Sequence, residues 1–230
     1  MKNLLIYISP EKKFNQENKT YVEIQIENSL KYWSREDIVL VTNFPYEYMG
    51  VEALVVPDYL HSEISRCVIK INVIVYLLEN KILNELTWFH DTEAWQVAPL
   101  DLKLDKELGL TDYGWSQKWN GGSMFFYPEA LDIFRLWKNS IELNHTDDER
   151  ALMKLTNKNV ADINSHIQRL NITYNIGKRR VDKNLIKAER PVRVLHFHPY
   201  RENLLSRFDY FLPNKLKELM YAKKDIGFRE

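Results

Sequence analysis

The sequence predicts an α/β protein with a central, mostly parallel mixed sheet that is flanked by helices. Two observations indicate this fold class: segments typical of strands and helices alternate through the first ninety residues, and several strand segments are continuous apolar runs. Such runs are typical of strands that helices cover on both faces. A chain of 230 residues can bury a full core, and no segment has the composition of a linker, so we expect one domain.

The first half of the chain predicts the element order β-α-β-β-α-β. Strands are predicted at residues 4–8, 38–42, 54–56 and 86–90, and Thr20 is the predicted N-cap of the first helix. Spacings of three and four residues place two sets of apolar side chains on helix faces. These sets are Val22, Ile26, Leu30 and Trp33 in the first helix, and Ile64, Val68, Ile71, Val75 and Leu78 in the second.

The second half of the chain is less regular. Strands are predicted at residues 119–127, 172–176 and 192–197. Pro128 suits the first turn of a helix, and the acidic run 147–149 suits the start of another, because a helix N-terminus attracts negative charge. The last thirty residues are predicted to be helical and basic, with an interruption at Pro213.

Composition and pattern argue against several classes of protein. Equal numbers of basic and acidic residues, 32 of each, disfavour a general nucleic-acid binder, which needs a basic surface. Cys67 is the single cysteine, so an internal disulfide and a cysteine-based zinc site are excluded. Neither GxGxxG nor GxxxxGK[ST] occurs, which disfavours dinucleotide-binding dehydrogenases and P-loop kinases. No apolar run approaches roughly 18 residues and no signal-peptide pattern is present, so we expect a soluble, cytoplasmic protein without a transmembrane segment.

Asp91 and Glu93 follow directly after a predicted buried strand. Residues two apart in an extended chain point to the same side, so their carboxylates can act together. Carboxylate oxygens suit Mg²⁺ or Mn²⁺, and ligands bind beyond the carboxyl ends of the strands in open α/β sheets. A solvated acidic loop is the alternative, and the sequence supports the two interpretations about equally.

His196 and His198 form a second pair of residues two apart, late in the chain. Imidazole is a common ligand of divalent metals. His196 is therefore a candidate to complete a metal site with Asp91 and Glu93, and His198 is a candidate to contact a phosphate. The alternative for either histidine is an ordinary core residue beside an apolar run.

Glycines 121 and 122 interrupt a predicted strand and weaken it, unless a ligand must approach the backbone closely. A sugar is a suitable ligand, because Asn120 and Ser123 offer hydrogen bonds and Trp119 a stacking surface. A β-bulge or a hairpin turn is the alternative explanation of the two glycines.

Two charged groups complete the set of candidates. Asp147 and Asp148 either cap a helix or supply a base or a stabilising carboxylate. Arg66 and Lys70 lie four residues apart on one face of a predicted helix. They are either surface charges or contacts to phosphates.

Together these segments resemble the nucleotide-sugar glycosyltransferases of the GT-A fold, over roughly residues 3–200. WFHDTEAW is similar to the family's metal-binding DxD segment, WNGGSMFF to its sugar-pocket strand, and DDERALMKL to the acidic helix start that follows. ITYNIG and VLHFHP are similar to the late segment of retaining, glycogenin-like enzymes and bacterial galactosyltransferases. The NLLIY start and the VTNFPYEY stretch are similar to small glycosyltransferase domains of large algal viruses.

The resemblance implies a GT-A core at residues 1–200 and a helical extension at 201–230. It also implies roles for single residues. Asp91 contacts the nucleotide sugar and the metal, Glu93 and His196 bind the metal, Asn120 and Gly121 meet the donor sugar, Asp147 or Asp148 lies near the reacting centre, and Ile8 and Ser9 meet the nucleotide base. Glu93 stands where the family usually has Asp, which moves the carboxylate outward by one methylene.

The resulting prediction is an enzyme that moves a sugar from a UDP-sugar to a hydroxyl of a glycan or glycoprotein acceptor, with Mn²⁺ or Mg²⁺ and with retention of configuration. Two alternatives remain open. One is a sugar-1-phosphate nucleotidyltransferase, although the loop SPEKKFNQ after the first strand lacks the glycine usual in that class. The other is a non-catalytic carbohydrate-binding protein on a degenerate transferase fold.

Overall fold

Strands and helices alternate along the chain, in agreement with the sequence pattern. The computed structural model describes residues 1–63, 66–113, 118–177, 181–197 and 207–225, without the side chains of residues 66, 67 and 223–225. Its strands are β1 (Lys2–Tyr7), β2 (Ile38–Thr42), β3 (Glu47–Tyr48), β4 (Val51–Glu52), β5 (Leu54–Val55), β6 (Thr87–His90), β7 (Ala94–Gln96), β8 (Leu108–Asp112), β9 (Trp119–Phe126), β10 (Ile167–Arg169) and β11 (Val194–His196). Its helices are α1 (Gln16–Ser29), α2 (Arg66–Glu79), α3 (Leu131–Asn144), α4 (Asp148–Asn157), α5 (Ile163–His166), α6 (Val181–Lys187) and a C-terminal helix (Asn214–Asp225).

Seven of these strands form the central sheet, in the order β10-β8-β9-β6-β1-β2-β5. β1 pairs in parallel with both β2 and β6, whereas β9 pairs antiparallel with both β6 and β8. Within this sheet, the strands other than β9 therefore run in one direction. The sheet is mixed and mostly parallel, so the predicted fold class is confirmed.

Helices cover both faces of the sheet. On β1, Leu4 packs into a core with α2, α3 and α4, whereas its neighbour Leu5 packs against α1 on the other face. Successive side chains of a strand point to opposite faces, so both residues are buried. This double burial is the reason that the strand segments are continuous apolar runs in the sequence.

A two-stranded antiparallel sheet joins β7 to β11, beside the end of β6. A further core lies next to it, where Trp95 of β7 packs with Tyr21 of α1 and with Leu216 and Met220 of the C-terminal helix. The late part of the chain is thereby packed against the segment that follows β6. None of the described helices is long and apolar enough to cross a membrane.

Several local predictions are wrong. Thr20 is not the N-cap of α1, because the helix begins earlier and the Asn15 side chain accepts a hydrogen bond from the Asn18 amide at 2.8 Å. The Thr20 hydroxyl instead donates to the Gln16 carbonyl inside the helix. Within the predicted strand 172–176, Ile172–Tyr174 is a 3₁₀ turn and Ile176 forms only an isolated bridge with Leu195. The sequence analysis also missed β3, β4, β7, β8 and β10.

Candidate active site

A cavity of about 750 Å³ opens at the carboxyl ends of β1 and β6. Its wall includes residues 6–11 at the end of β1, Lys70 of α2 and residues 89–93 at the end of β6. The volume is in the usual range for small-molecule sites, and the place is the one expected for a ligand in an open α/β sheet. The candidate active site is built around this cavity.

Asp91 is the first residue after β6, and neighbouring elements fix it from two sides. Its amide donates to the carbonyl of Gly122 on β9 at 2.9 Å. Its Oδ1 lies 3.7 Å from Nζ of Lys70, and its Oδ2 lies 3.8 Å from Nε2 of His196. The carboxylate thus lies between a cation and an imidazole at the cavity.

Lys70 connects three elements at this site. Its ammonium lies 2.6 Å from Oδ2 of Asp148 on α4 and donates to the carbonyl of Gly121 on β9 at 3.0 Å. The ammonium also lies 5.6 Å from the centre of the Phe89 ring. Both charged side chains are largely buried, 15% exposed for Lys70 and 9% for Asp148, so this contact is only weakly screened by solvent.

His196 reaches the site through β11. It pairs with Ala94 in the antiparallel register of β7 and β11, and its amide donates to the Ile176 carbonyl at 2.8 Å. Because β7 begins three residues after Asp91, this pairing brings residues more than a hundred positions apart into one site. The side chain of His198 lies outside the described residues.

The two glycines of β9 make room for these side chains. A β-carbon at Gly122 would lie 2.0 Å from Cε1 of His196 and 2.9 Å from Oδ2 of Asp91. A β-carbon at Gly121 would lie 2.9 Å from Oδ2 of Asp148 and 3.4 Å from Nζ of Lys70. The pair also belongs to a bulge, because residues 121–123 of β9 lie between two consecutive partners on β8. The bulge predicted as one alternative is therefore present, and the groups that approach the two glycines in the structure are protein side chains, whereas the approach of a sugar stays a prediction.

The structure separates the roles of the two neighbouring acids. Asp147 is the N-cap of α4: its side chain accepts from the Arg150 amide at 2.6 Å, and its other oxygen lies 3.2 Å from Nε of Arg150. Asp148 is buried and faces Lys70, and its carbonyl accepts from the Trp137 indole at 2.8 Å. Of the two, Asp148 is the one that contacts the candidate site through Lys70.

Asn120 lies beside the glycines and is buried. Its Oδ1 accepts from the Gly122 amide at 3.0 Å, which stabilises the bulge. The neighbouring side chains that the sequence offers to a sugar are engaged elsewhere. The Ser123 hydroxyl donates to the Tyr174 carbonyl, and the Trp119 indole donates to Thr156 of α4.

The end of β1 is fastened by Asn43, a residue that the sequence analysis missed. Its side-chain oxygen accepts from the Ser9 amide at 2.9 Å, and its nitrogen donates to the Ser9 carbonyl at 2.8 Å. Ile8 and Ser9 line the cavity, and both backbone groups of Ser9 are hydrogen-bonded to the Asn43 side chain. An Asn directly after a predicted strand is the signal that could have identified it.

The donor chemistry at Asp91 suits a divalent cation in part. Neighbouring ligands of Mg²⁺ or Mn²⁺ lie about 3 Å apart, so Asp91 and His196 would have to approach by less than an ångström to share one ion. Glu93 lines the same cavity, and its carboxylate accepts from the Thr92 hydroxyl at 3.1 Å. Within the described residues, no three acidic, histidine or cysteine side chains are grouped as a metal site. The described chain therefore holds two of the predicted ligands close together, and not the full set of three.

His90 occupies the position before Asp91 and is buried. Its ring stacks on Trp88, with centroids 4.0 Å apart. Burial lowers the pKa of His90 to about 4, so its imidazole is neutral at physiological pH. The side chain of Arg66, the other predicted phosphate contact on α2, lies outside the described part of the chain.

The fold is that of the GT-A glycosyltransferases, as comparison with solved structures shows. A glycosyltransferase involved in the glycosylation of the major capsid of PBCV-1, a viral protein, matches with a TM-score of 0.58 and 12% identity, over 92% of this chain and 98% of its own. The galactosyltransferase LgtC, solved with donor and acceptor sugar analogues, matches with a TM-score of 0.61 and 12% identity, over 96% of each chain.

GlyE, a glycosyltransferase of Streptococcus pneumoniae, matches with a TM-score of 0.62 and 12% identity, over 100% of this chain and 66% of its own. No model of a known protein family matches the sequence, and no curated protein matches it either. The predicted GT-A fold and its resemblance to the viral glycosyltransferase are thus confirmed at the level of structure.

Proposed function

We propose that the protein is a glycosyltransferase that moves a sugar from a UDP-sugar to a hydroxyl of a glycan or glycoprotein acceptor. One observation carries the proposal: on a GT-A fold, Asp91 lies at the carboxyl end of β6 between Lys70 and His196, at the rim of a cavity large enough for a nucleotide sugar. A single domain, with a core at residues 1–200 and a helical extension beyond it, belongs to the same proposal.

The charge around Lys70 supports a requirement for a divalent cation. Lys70 carries one positive charge and contacts two carboxylates, those of Asp91 and Asp148. Together these three described side chains carry a net negative charge, which would repel the diphosphate of a nucleotide sugar. A bound Mn²⁺ or Mg²⁺ would reverse that repulsion and would neutralise the charge that develops on the leaving diphosphate.

Asp91 and His196 would hold such an ion. Glu93, which lies on the same turn as Asp91, would be the third ligand. The other residues act directly on the donor. Lys70 and Asp148 orient the sugar and the phosphates, and Asn120 and Gly121 form the wall against which the sugar lies. Catalysis then consists mainly of positioning the acceptor hydroxyl at the anomeric carbon and of stabilising charge, with retention of configuration.

Calorimetric titration of UDP-sugars tests the proposal, with Mn²⁺ present or with EDTA in its place. The variants are Asp91→Asn and His196→Ala. His166→Ala is the matched control, because this histidine also faces a carboxylate, Glu107 at 3.0 Å, but lies outside the cavity. We expect binding to need the metal in the wild type and the control, and to be lost in both site variants.

Release of UDP on incubation with donor and metal separates an enzyme from a binding protein. Metal-dependent release supports transfer, whereas metal-dependent binding without release supports a carbohydrate-binding protein on the same fold. Donor binding that is equal in EDTA and unchanged in Asp91→Asn would refute the proposed metal site. Release of diphosphate from a nucleoside triphosphate and a sugar phosphate would instead indicate a nucleotidyltransferase.

A further inference from the structure

Every backbone carbonyl of the turn formed by residues 91–94 accepts a hydrogen bond. The Asp91 carbonyl accepts from the Ala94 amide at 2.9 Å and faces Nδ1 of His90 at 3.1 Å. The carbonyls of Thr92 and Ala94 both accept from Nε2 of Gln25, at 2.6 and 3.0 Å. The Glu93 carbonyl accepts from the Phe197 amide at 3.0 Å. The carboxylates of Asp91 and Glu93 thus extend from a backbone whose four carbonyl groups are all hydrogen-bonded.

Gln25 has a position that core packing alone does not explain. It lies on α1, is 1% exposed, and points between the helix and the 91–94 turn. A buried amide costs free energy unless it is hydrogen-bonded, and an apolar side chain would fill the space at lower cost. The Gln25 amide contributes what an apolar side chain could not, namely hydrogen bonds to the carbonyls of Thr92 and Ala94, on either side of Glu93.

His90 acts on the same turn from the other side. Its Nδ1 must carry the hydrogen, because a carbonyl oxygen such as that of Asp91 only accepts. Nε2 of the same ring lies 2.9 Å from Oδ1 of Asn3. The side-chain nitrogen of Asn3 in turn donates to the Ser29 hydroxyl of α1 at 2.9 Å.

We propose that Gln25 and His90 are positioning residues that hold the 91–94 turn, and with it the carboxylates of Asp91 and Glu93, in the geometry that binds the donor. The inference rests on the proposed function for its effect on transfer. It assigns to Gln25 of α1, which lies outside the cavity wall, a share in organising the site. Groups that orient the ligands of a site are typically worth about 10- to 100-fold in affinity or activity.

Four variants test the inference. Gln25→Leu and His90→Leu remove the hydrogen bonds to the turn. His90→Asn keeps an N–H close to the position of Nδ1 and should rescue the loss. Asn72→Leu is the matched control, because Asn72 is also a buried amide on a helix and donates to a carbonyl, that of Leu60, away from the turn.

Hydrogen exchange of single amides is the readout that needs no substrate. The amides of Ala94 and Phe197 donate to carbonyls of the turn. In Gln25→Leu and in His90→Leu we expect these two amides to exchange at least 10-fold faster than in the wild type. The amides in the middle of α3 should keep their rates. In Asn72→Leu the two reporter amides should exchange as in the wild type.

The kinetic readout is kcat/KM for the UDP-sugar. We expect a loss of about 10- to 100-fold in Gln25→Leu and His90→Leu, an unchanged KM for the acceptor, and recovery to within a few-fold in His90→Asn. Uniformly faster exchange over the whole chain, or unchanged exchange at Ala94 and Phe197, would overturn the inference. If the wild type binds no UDP-sugar, the proposed function fails, and the exchange measurement still decides the role of the two residues.

Discussion

Nζ of Lys70 and Oδ2 of Asp148 lie 2.6 Å apart, so a largely buried ion pair joins the second turn of α2 to the first turn of α4. The Gly121 carbonyl accepts from the same ammonium, which ties the pair to the bulge of β9. Two helices and the sheet are therefore joined by an ion pair whose lysine also lines the cavity. The contact has a structural role and a proposed chemical role at once.

Removal of Lys70 should destabilise the protein. In Lys70→Met the carboxylate of Asp148 stays buried without its cation, and we expect the free energy of unfolding to fall by about 3 kcal/mol. The double variant Lys70→Met/Asp148→Leu should recover most of the loss, because no unpaired charge remains. Urea denaturation measures both, and Arg135→Met, which breaks an exposed pair with Glu79, should cost less than about 1 kcal/mol.

Gly122→Ala should disrupt the site while the fold persists. The new methyl group would lie 2.0 Å from the ring of His196, so the imidazole must move away from Asp91. We expect loss of metal-dependent donor binding in calorimetry and a destabilisation of about 1–3 kcal/mol. Gly177→Ala is the matched control, because its β-carbon would meet only an ordinary contact at 3.8 Å. Equal donor binding in the two variants would contradict the close packing of His196.

Asp147 and Asp148 should differ sharply when they are replaced. Asp147→Ala removes the N-cap of α4 and should cost about 1 kcal/mol of stability, with the rate of transfer retained. Asp148→Asn keeps the shape of the side chain but removes the partner charge of Lys70, and it should lower transfer by at least tenfold. Comparison of thermal unfolding with initial rates checks both statements. Loss of transfer in Asp147→Ala would reverse the assignment.

Stability should fall in acid because of His90. Burial lowers its pKa to about 4 in the folded state, below its value in the unfolded chain, so the unfolded state takes up the proton first as the pH falls. The resulting loss begins near pH 6.5, grows toward pH 4, and reaches up to about 3 kcal/mol. Urea denaturation in EDTA should show this loss in the wild type but not in His90→Asn, whose side chain does not titrate. Parallel pH curves for the two proteins would show that His90 does not contribute.

The parts of the fold that could be predicted from sequence are those with a strong local signal. Residues 38–42 form an uninterrupted apolar run and are a strand of the same bounds in the structure. The strand β8 was missed because Gly109 breaks its pattern, and β10 because it has only three residues. These two segments are strands because they pair with neighbouring strands of the sheet, and local sequence patterns do not indicate such pairing.

The residues of the candidate site also fall into a group that the sequence indicates and a group that it does not indicate. The sequence indicates Asp91 and the two glycines of β9, because strand ends and strand glycines have recognisable patterns. It does not indicate that Asn43 fastens Ser9, or that Gln25 on a helix faces the 91–94 turn, because these contacts join residues far apart in the chain. The roles of Asp147 and Asp148 cannot be separated from sequence for the same reason, because Lys70, the partner of Asp148, lies far from it in the chain.

The pairing of β7 with β11 also fixes when the site can come into being during synthesis. Asp91 emerges from the ribosome about a hundred residues before His196 and before the Phe197 amide that donates to the Glu93 carbonyl. A nascent chain that ends before residue 197 therefore lacks the imidazole beside Asp91 and the donor to the Glu93 carbonyl, although its strands β1, β2 and β6 are already complete. The proposed metal site can therefore form only after residue 197 has been synthesised, and a chain that terminates before it lacks that site.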